Sequence, residues 1–470
     1  MIARQRILFL TNSEQGQSNV QLATAFEVHS RASHDVEVHL ASFGELRARF
    51  ERMAGTMQDN KKPPTFHLID GLPHFVAMDR IKTYGSLPHP PTVRACAKFV
   101  RLMVPWTPEE YMTIVEHITI LIDTLDPHLI IVDNVFSQAM DACTLLHRPY
   151  HILSPILPSL VCSANQPFFR RLLRNPQMAT GLPYPLPLTG ILVNLAHIVV
   201  MSYLVLTSTH LKALNAARAA RGCTGPYPGM NLTHVAPGRT YITPGVRELD
   251  IPFVQPEGLR LCGPISPDFV PLHESDPELA AWLDRGETVL MIMGTHFEYD
   301  EPMARRVLKG LLGGVGAATQ ILWKLPNRDL LGALLDDTDR VRAVSWFVAE
   351  PAAILAHENV VCYVHHGGAN SYLECAWAGK PQVILAQWSD TYYNAVAAEY
   401  RGIGVYGNKT CAPAVDAEEF SSALRRVTSG EESARFKARA DQVGVRCREA
   451  GGRRFAANVV LALLQGGNMV

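Results

Sequence analysis

The sequence predicts an α/β protein of two facing doubly wound domains, each a parallel sheet with helices on both faces, around an interdomain cleft. Three observations predict it. Short continuous apolar runs alternate with helix-like stretches in the first half, a Pro- and Gly-loaded segment interrupts the chain near its middle, and the same alternation then restarts. At 470 residues the chain exceeds one comfortable hydrophobic core, and about 100 to 200 residues per domain gives two large domains.

The elements follow in order. "RILFLT" reads as the first strand, followed by a helix from about Asn19, then "DVEVHLASF" and "TFHLID" as strands. After helical material come "HLIIVD", a helix near 135–147, and "YHILS". Residues 154–189 are rich in Pro, and a long apolar helical region follows to about Arg221. "YITPGVRELDIPFVQPEGLRLCGPI", 241–265, reads as an extended connection. The second half runs "ETVLMIMG", a helix from about Glu301, "TQILWKL", "RVRAVS", a short "PAAILAH" helix, "NVVCYV", the "GANSYLECAWAG" helix, "PQVILA", and a helix through Tyr393 and Ala398. The expected domains are therefore 1–245 and 266–445, with a linker at 246–265 and a C-terminal helix within 446–470 that packs back toward the first domain.

Composition excludes several classes. Hydrophobic residues make up 47% and charged residues 19%, an ordinary globular balance. A net charge of -1, from 43 basic and 44 acidic residues, gives no electrostatic reason to expect a nucleic-acid partner. Nine cysteines stand singly, without CxxC spacing, and their odd count argues against a disulfide framework or a zinc site; a reducing cytoplasm is the expected compartment. The apolar core of "MIARQRILFLTNSEQG" is too short for a signal peptide and reads as a buried strand before a polar loop. The segment "GILVNLAHIVVMSYLVL", 190–206, is interrupted by Asn194 and His197 and falls short of the roughly 20 residues of a membrane span. It reads first as a buried or interfacial helix, second as a peripheral membrane contact.

The chemistry concentrates in "VHHGGANSYLE", 364–374. A helix start offers unpaired N–H groups and the positive end of a dipole, which suits an anion. Gly367 and Gly368 let backbone approach a ligand, Asn370 and Ser371 supply donors, and Glu374 shares the face of Asn370 and can accept hydrogen bonds from a diol. Phosphates and a ribose fit this set. "EQGQSNV" contains no GxGxxG, so the dinucleotide fingerprint of a dehydrogenase is absent.

From 346 to 395 the sequence resembles the signature region of the family 1, UDP-sugar-dependent glycosyltransferases, which have the GT-B fold of two facing Rossmann-like domains. The family pattern HxGxNSxxE, then GxP, then an acidic and polar pair before Asn-Ala, is matched by His366 to Glu374, Gly379-Lys380-Pro381, Asp390-Thr391 and Asn394-Ala395. The resemblance implies that His366, Asn370 and Ser371 contact the diphosphate beside Gly368, that Glu374 holds the ribose, and that Asp390 and Thr391 meet the sugar with Trp388 as a wall. Thr391 is shorter than the family's usual Gln or Glu and leaves the sugar open. Gly294 and Thr295 match the strand end that approaches the phosphates. For the uracil platform, Trp346 and Val348 are the alternatives. The likeness is to fungal members, covers most of the chain, and is weak over 70–125 and 160–240, where acceptor pockets vary.

In that family the loop after the first strand carries a histidine that deprotonates the acceptor, oriented by an aspartate. Here the loop reads Gly16-Gln17, and Asp133, ending "LIIVD", matches the aspartate. A glutamine is no base near neutral pH, so Asp133 or Glu14 is expected to take the proton while Gln17 orients the acceptor. Phenols and carboxylic acids tolerate the change best. His74 and His296 read as polar-rim side chains. Neither HExxH nor a DxD pair is present, so no metal and no cofactor beyond the UDP-sugar co-substrate is expected. Phe75, Trp106, Tyr111, Phe136, Phe168 and Phe169 are candidates for the acceptor wall, and most of them also fit a core. The expected activity is inverting transfer of a sugar, glucose by preference, to a hydroxyl or carboxyl of a small lipophilic acceptor of phenolic, polyketide or terpenoid type. Its rivals are a sterol or lipid glucosyltransferase at a membrane surface, a catalytically silent sugar-nucleotide binder, and a sugar-nucleotide epimerase.

Overall fold

A computed structural model describes residues 4–55, 57, 62–81, 87–294, 297–332 and 340–467. Two all-parallel sheets form it. The first contains β1 (Gln5–Leu10), β2 (Val36–Ser42), β3 (Thr65–Leu68), β4 (Leu129–Asp133), β5 (His151–Leu153), β6 (Tyr241–Thr243) and β7 (Leu259–Leu261), in the order β3-β2-β1-β4-β5-β6-β7. The second contains β8 (Thr288–Ile292), β9 (Gln320–Lys324), β10 (Val341–Val344), β11 (Val360–His365), β12 (Gln382–Ile384) and β13 (Gly404–Tyr406), in the order β10-β9-β8-β11-β12-β13.

Continuous apolar sequence explains the parallel arrangement. Every residue of β4, β8 and β9 is buried, as strands covered by helices on both faces require. The strand order reverses between β1 and β4 in one sheet and between β8 and β11 in the other, and such switch points open a crevice at the strand C-termini. Both crevices face one another. The halves also touch directly: Asn370 Nδ2 donates to Gln15 O at 3.2 Å, Tyr372 OH donates to Leu249 O at 2.6 Å, and Ser159 Oγ lies 2.6 Å from Tyr393 OH.

Two expectations change. The segment read as linker, 246–265, carries β7, which pairs with β6, so the first sheet extends to Leu261; three residues in register suffice for an edge strand despite the surrounding Pro and Gly. Helix Leu188–Thr207 covers the apolar 190–206 segment, but it buries only Gly190, Asn194 and His197. Among the described residues it is the one helix long and apolar enough to cross a membrane. Helix Arg453–Leu464 packs on helix Gln15–Arg31 of the first domain, sharing a core with Ile7, Val20 and Leu22. The eight cysteines whose state is described are free thiols.

Candidate active site

The cleft between the sheets encloses about 880 Å³. On the side of the second sheet, β11 ends at His365 and helix Ala369–Trp377 starts after Gly368. The two histidines divide their work. His365 is fully buried, its Nδ1 accepting the Gly367 N–H at 3.0 Å and its Nε2–H donating to Gln382 Oε1 at 2.8 Å. Burial pushes its imidazole down to about 4, so it stays neutral and fixes the turn. Asn394 Nδ2 locks the same turn by donating to Gly367 O at 2.7 Å.

His366 lines the cleft, its ring 5.2 Å from that of Trp388. Two glycines make room for it: a Cβ on Gly368 would lie 2.4 Å from His366 Nε2, and one on Gly294 would lie 2.7 Å from its Cε1. Asn370, Ser371 and Glu374 extend this wall from the first turns of the helix, whose leading amides lack intrahelical partners. Burial and the like charge of Glu350 push the Glu374 carboxyl up to about 7, against the pull of Arg49. Asp390 also lines the cleft, raised by burial to about 6, with Ser389 Oγ donating to its Oδ1 at 3.2 Å. Trp346 and Val348 both stand at the rim, and Lys324 Nζ lies 3.4 Å from the Trp346 ring centroid.

The opposite wall comes from the loop after β1. Gln17 faces the cleft there. Glu14 lines it too: its Oε1 accepts the Phe75 N–H at 2.5 Å, while its Oε2 is buried without a hydrogen-bond partner among the described residues. His74 stands next in the wall, its ring 5.1 Å from that of Trp106. Its Nε2–H donates to Leu102 O at 3.0 Å, which leaves the lone pair on Nδ1. Burial lowers the His74 pKa, opposed by Glu14 and the Leu102 carbonyl.

Several expected site residues lie elsewhere. Asp133 is fully buried and does not line the cleft; Oδ2 accepts from Thr11 Oγ1 at 3.2 Å and Oδ1 from the Val135 N–H at 3.1 Å, while burial raises its carboxyl to about 7. It braces the loop from behind. Thr391 is likewise buried and outside the cleft lining, its Oγ1 accepting the N–H groups of Gln387 and Trp388 at 2.9 Å, so it caps a helix. Thr295 and His296 lie outside the described residues.

Of the aromatic candidates only Phe75 lines the cleft. Trp106 is core, with Nε1–H donating to Leu72 O at 2.7 Å, and Tyr111 is core, with its OH on Asp141 Oδ2 at 2.8 Å. Phe136 packs on Phe43 in the same core. Phe168 and Phe169 point to solvent. Sequence reading passed over Arg49 and Lys324 and took His74 for a rim group; all three line the cleft, as does Glu350 of the "WFVAEP" stretch. Lys324 was findable, since it ends a strand whose C-terminus must open on the crevice. Arg49 was not, because the short helix Arg47–Gly55 gives no local sign of the far domain it meets.

Among the described residues no group of three or more His, Cys, Asp or Glu is placed to hold a metal ion. The family described as the C-terminal domain of Erythromycin biosynthesis protein CIII-like proteins matches residues 319–445. Glycosyltransferase sdnJ of Sordaria araneosa is 34% identical, the alignment covering 98% of each chain. UDP-glycosyltransferase stmC of Aspergillus ustus is 26% identical over 34% of each chain. Among solved structures, a UDP-glucosyltransferase from Polygonum tinctorium capable of glucosylating indoxyl superposes along 100% of both chains at 14% identity with a TM-score of 0.65. The glycotransferase of kitacinnamycin covers 97% of this chain and 98% of its own, at 15% identity and a TM-score of 0.66. With a relative 34% identical from end to end, this chain belongs to the UDP-sugar-dependent glycosyltransferases of family 1, in their fungal branch, on the GT-B fold.

Proposed function

We propose that the enzyme transfers glucose from UDP-glucose, with inversion and without a metal ion, to a hydroxyl or carboxyl of a lipophilic natural product of phenolic, polyketide or terpenoid type. The observation that carries this reading is one cleft with two unlike walls: a helix start with His366, Asn370, Ser371 and Glu374 on one side, and Gln17, Glu14, His74 and Phe75 on the other. UDP lies along the first wall, its diphosphate against the helix amides and His366, its ribose on Glu374, and its sugar toward Asp390 and Trp388.

The acceptor oxygen then attacks the anomeric carbon from the side of Gln17. The new C–O bond forms as the C–O bond to the β-phosphate breaks, and UDP departs with the electron pair into a field of N–H donors and, when protonated, the His366 imidazolium. The acceptor proton needs a base. Gln17 is none, Asp133 is sealed behind the loop, and Glu14 has one oxygen tied to Phe75 N. His74 offers Nδ1, held outward by the Leu102 hydrogen bond, with the Glu14 carboxylate placed to stabilise the imidazolium that forms. Gln17 orients the acceptor.

Mass spectrometry of reactions with several UDP-sugars and a panel of phenols, terpenoids and carboxylic acids tests the function, with product stereochemistry read from the anomeric proton coupling. The expected product is a β-glucoside formed equally with and without chelator. An α-glucoside from an α-linked donor, or UDP binding with no turnover on any acceptor, overturns the reading.

A further inference from the structure

Helix Leu188–Thr207 is turned inside out. The residues it buries are Gly190, Asn194 and His197, which include the two most polar side chains of the run and none of its large aliphatic ones. Asn194 pins the helix to the protein, its Oδ1 accepting the Gln177 N–H at 2.8 Å and its Nδ2 donating to Asn175 O at 3.2 Å. On the opposite side Leu188, Leu192, Val199, Tyr203 and Leu206 recur at helical spacing, each between 64% and 86% exposed. Phe168 and Phe169, on the adjoining helix Phe168–Leu173, are 59% and 73% exposed. Scattered exposed leucines are ordinary, but a continuous apolar ridge marks a surface that meets something.

The charge around the ridge says what it meets. Residues 142–247 contain no Asp or Glu and nine Arg or Lys, in a chain whose totals are 43 and 44. Arg94, Arg174 and Lys212 are exposed on the segments that flank the ridge, and none has an ion-pair partner among the described residues. An apolar face rimmed by one sign of charge fits an anionic lipid surface. A symmetric second copy fits poorly, because a two-fold contact would set basic rim against basic rim.

We propose that this face rests on an anionic bilayer, the helix lying within the headgroup layer rather than crossing it, since its polar side is bound into the protein. The position has a use. Helix Cys96–Met103 packs against the helix that carries the ridge and brings Leu102 and Met103 into the wall of the cleft, so the acceptor end of the active site lies one helix away from the lipid, where a lipophilic acceptor dissolves. The proposal does not depend on which residue is the base.

Co-sedimentation of the full chain with vesicles of phosphatidylcholine alone, and with about one third phosphatidylserine, tests it. Retention on the anionic vesicles is expected, at least tenfold weaker for the Leu192→Glu/Val199→Glu variant, and weakened by salt and by Arg174→Glu/Lys212→Glu. Turnover of a water-soluble phenol stays unchanged in both variants, which shows that they fold. No retention on either vesicle, retention indifferent to Leu192→Glu/Val199→Glu, or a dimer in sedimentation equilibrium that this variant dissolves, would overturn it.

Discussion

The two walls of the cleft are built in different ways. The donor wall has a centre that is compact in sequence: one turn and the first helical turns supply His366, Gly368, Asn370, Ser371 and Glu374, with two glycines shaped around a single imidazole, and Lys324, Trp346 and Asp390 stand around it. The acceptor wall is assembled from segments far apart, Glu14 to Gln17, His74 to Met78 and Leu102 to Met103. A wall made from one motif is constrained by its own backbone. A wall drawn from several loops can vary one segment while the others stay, and here Gln17 and Glu14 of one segment stand beside His74 of another.

The largest expected effect falls on the donor wall. His366→Ala should lower kcat/KM by about 10² to 10³, through loss of a group that meets charge developing on the leaving diphosphate. Steady-state rates with a fixed acceptor check this.

On the acceptor wall, His74→Gln should cost about 10²-fold with an alcohol acceptor and under about tenfold with a carboxylic acid, which needs almost no base. Gln17→His in that background should recover part of the alcohol rate. The pH profile sharpens the assignment. The neutral imidazole is the active form, so activity disappears as pH falls through its folded pKa. Burial lowers that pKa, which places the acid limb of kcat/KM below the ordinary imidazole range. If Asp133 were the proton acceptor, the limb would lie near 7.

Gly294→Ala should cost about tenfold in kcat/KM, because the new methyl displaces the His366 ring from its position. The smallest catalytic effects belong to the aromatic residues that lie outside the cleft. Phe136→Ala should cost about 3 to 5 kcal/mol of stability by denaturant titration while the folded enzyme keeps its kcat/KM within about twofold. Phe168→Ala should leave stability within about 0.5 kcal/mol and the rate unchanged.

The same contrast explains what was legible in the sequence. Apolar runs such as "LIIVD" and "TVLMI" announce parallel strands because burial on both faces leaves no alternation, and the two sheets follow from them. The motif from His366 to Glu374 was readable because its residues lie within nine consecutive positions. β7 was not, since a three-residue strand among Pro and Gly has too few positions to show a period. Trp106 and Phe136 were left between pocket and core because an aromatic residue fits one as well as the other. Thr391 was misplaced because a position inherited by resemblance carries no statement of where a shorter side chain turns. His74 was read as a rim group because the Leu102 carbonyl that fixes its ring lies 28 residues away, which no local pattern reveals.

Titration of UDP in a calorimeter against the wild-type enzyme, His366→Ala and His74→Gln tests the division of labour most directly. Binding at least tenfold weaker for His366→Ala, with His74→Gln equal to wild type, is the predicted result. Equal affinity in all three, or an equal loss in both variants, would contradict a leaving group held by the donor wall alone.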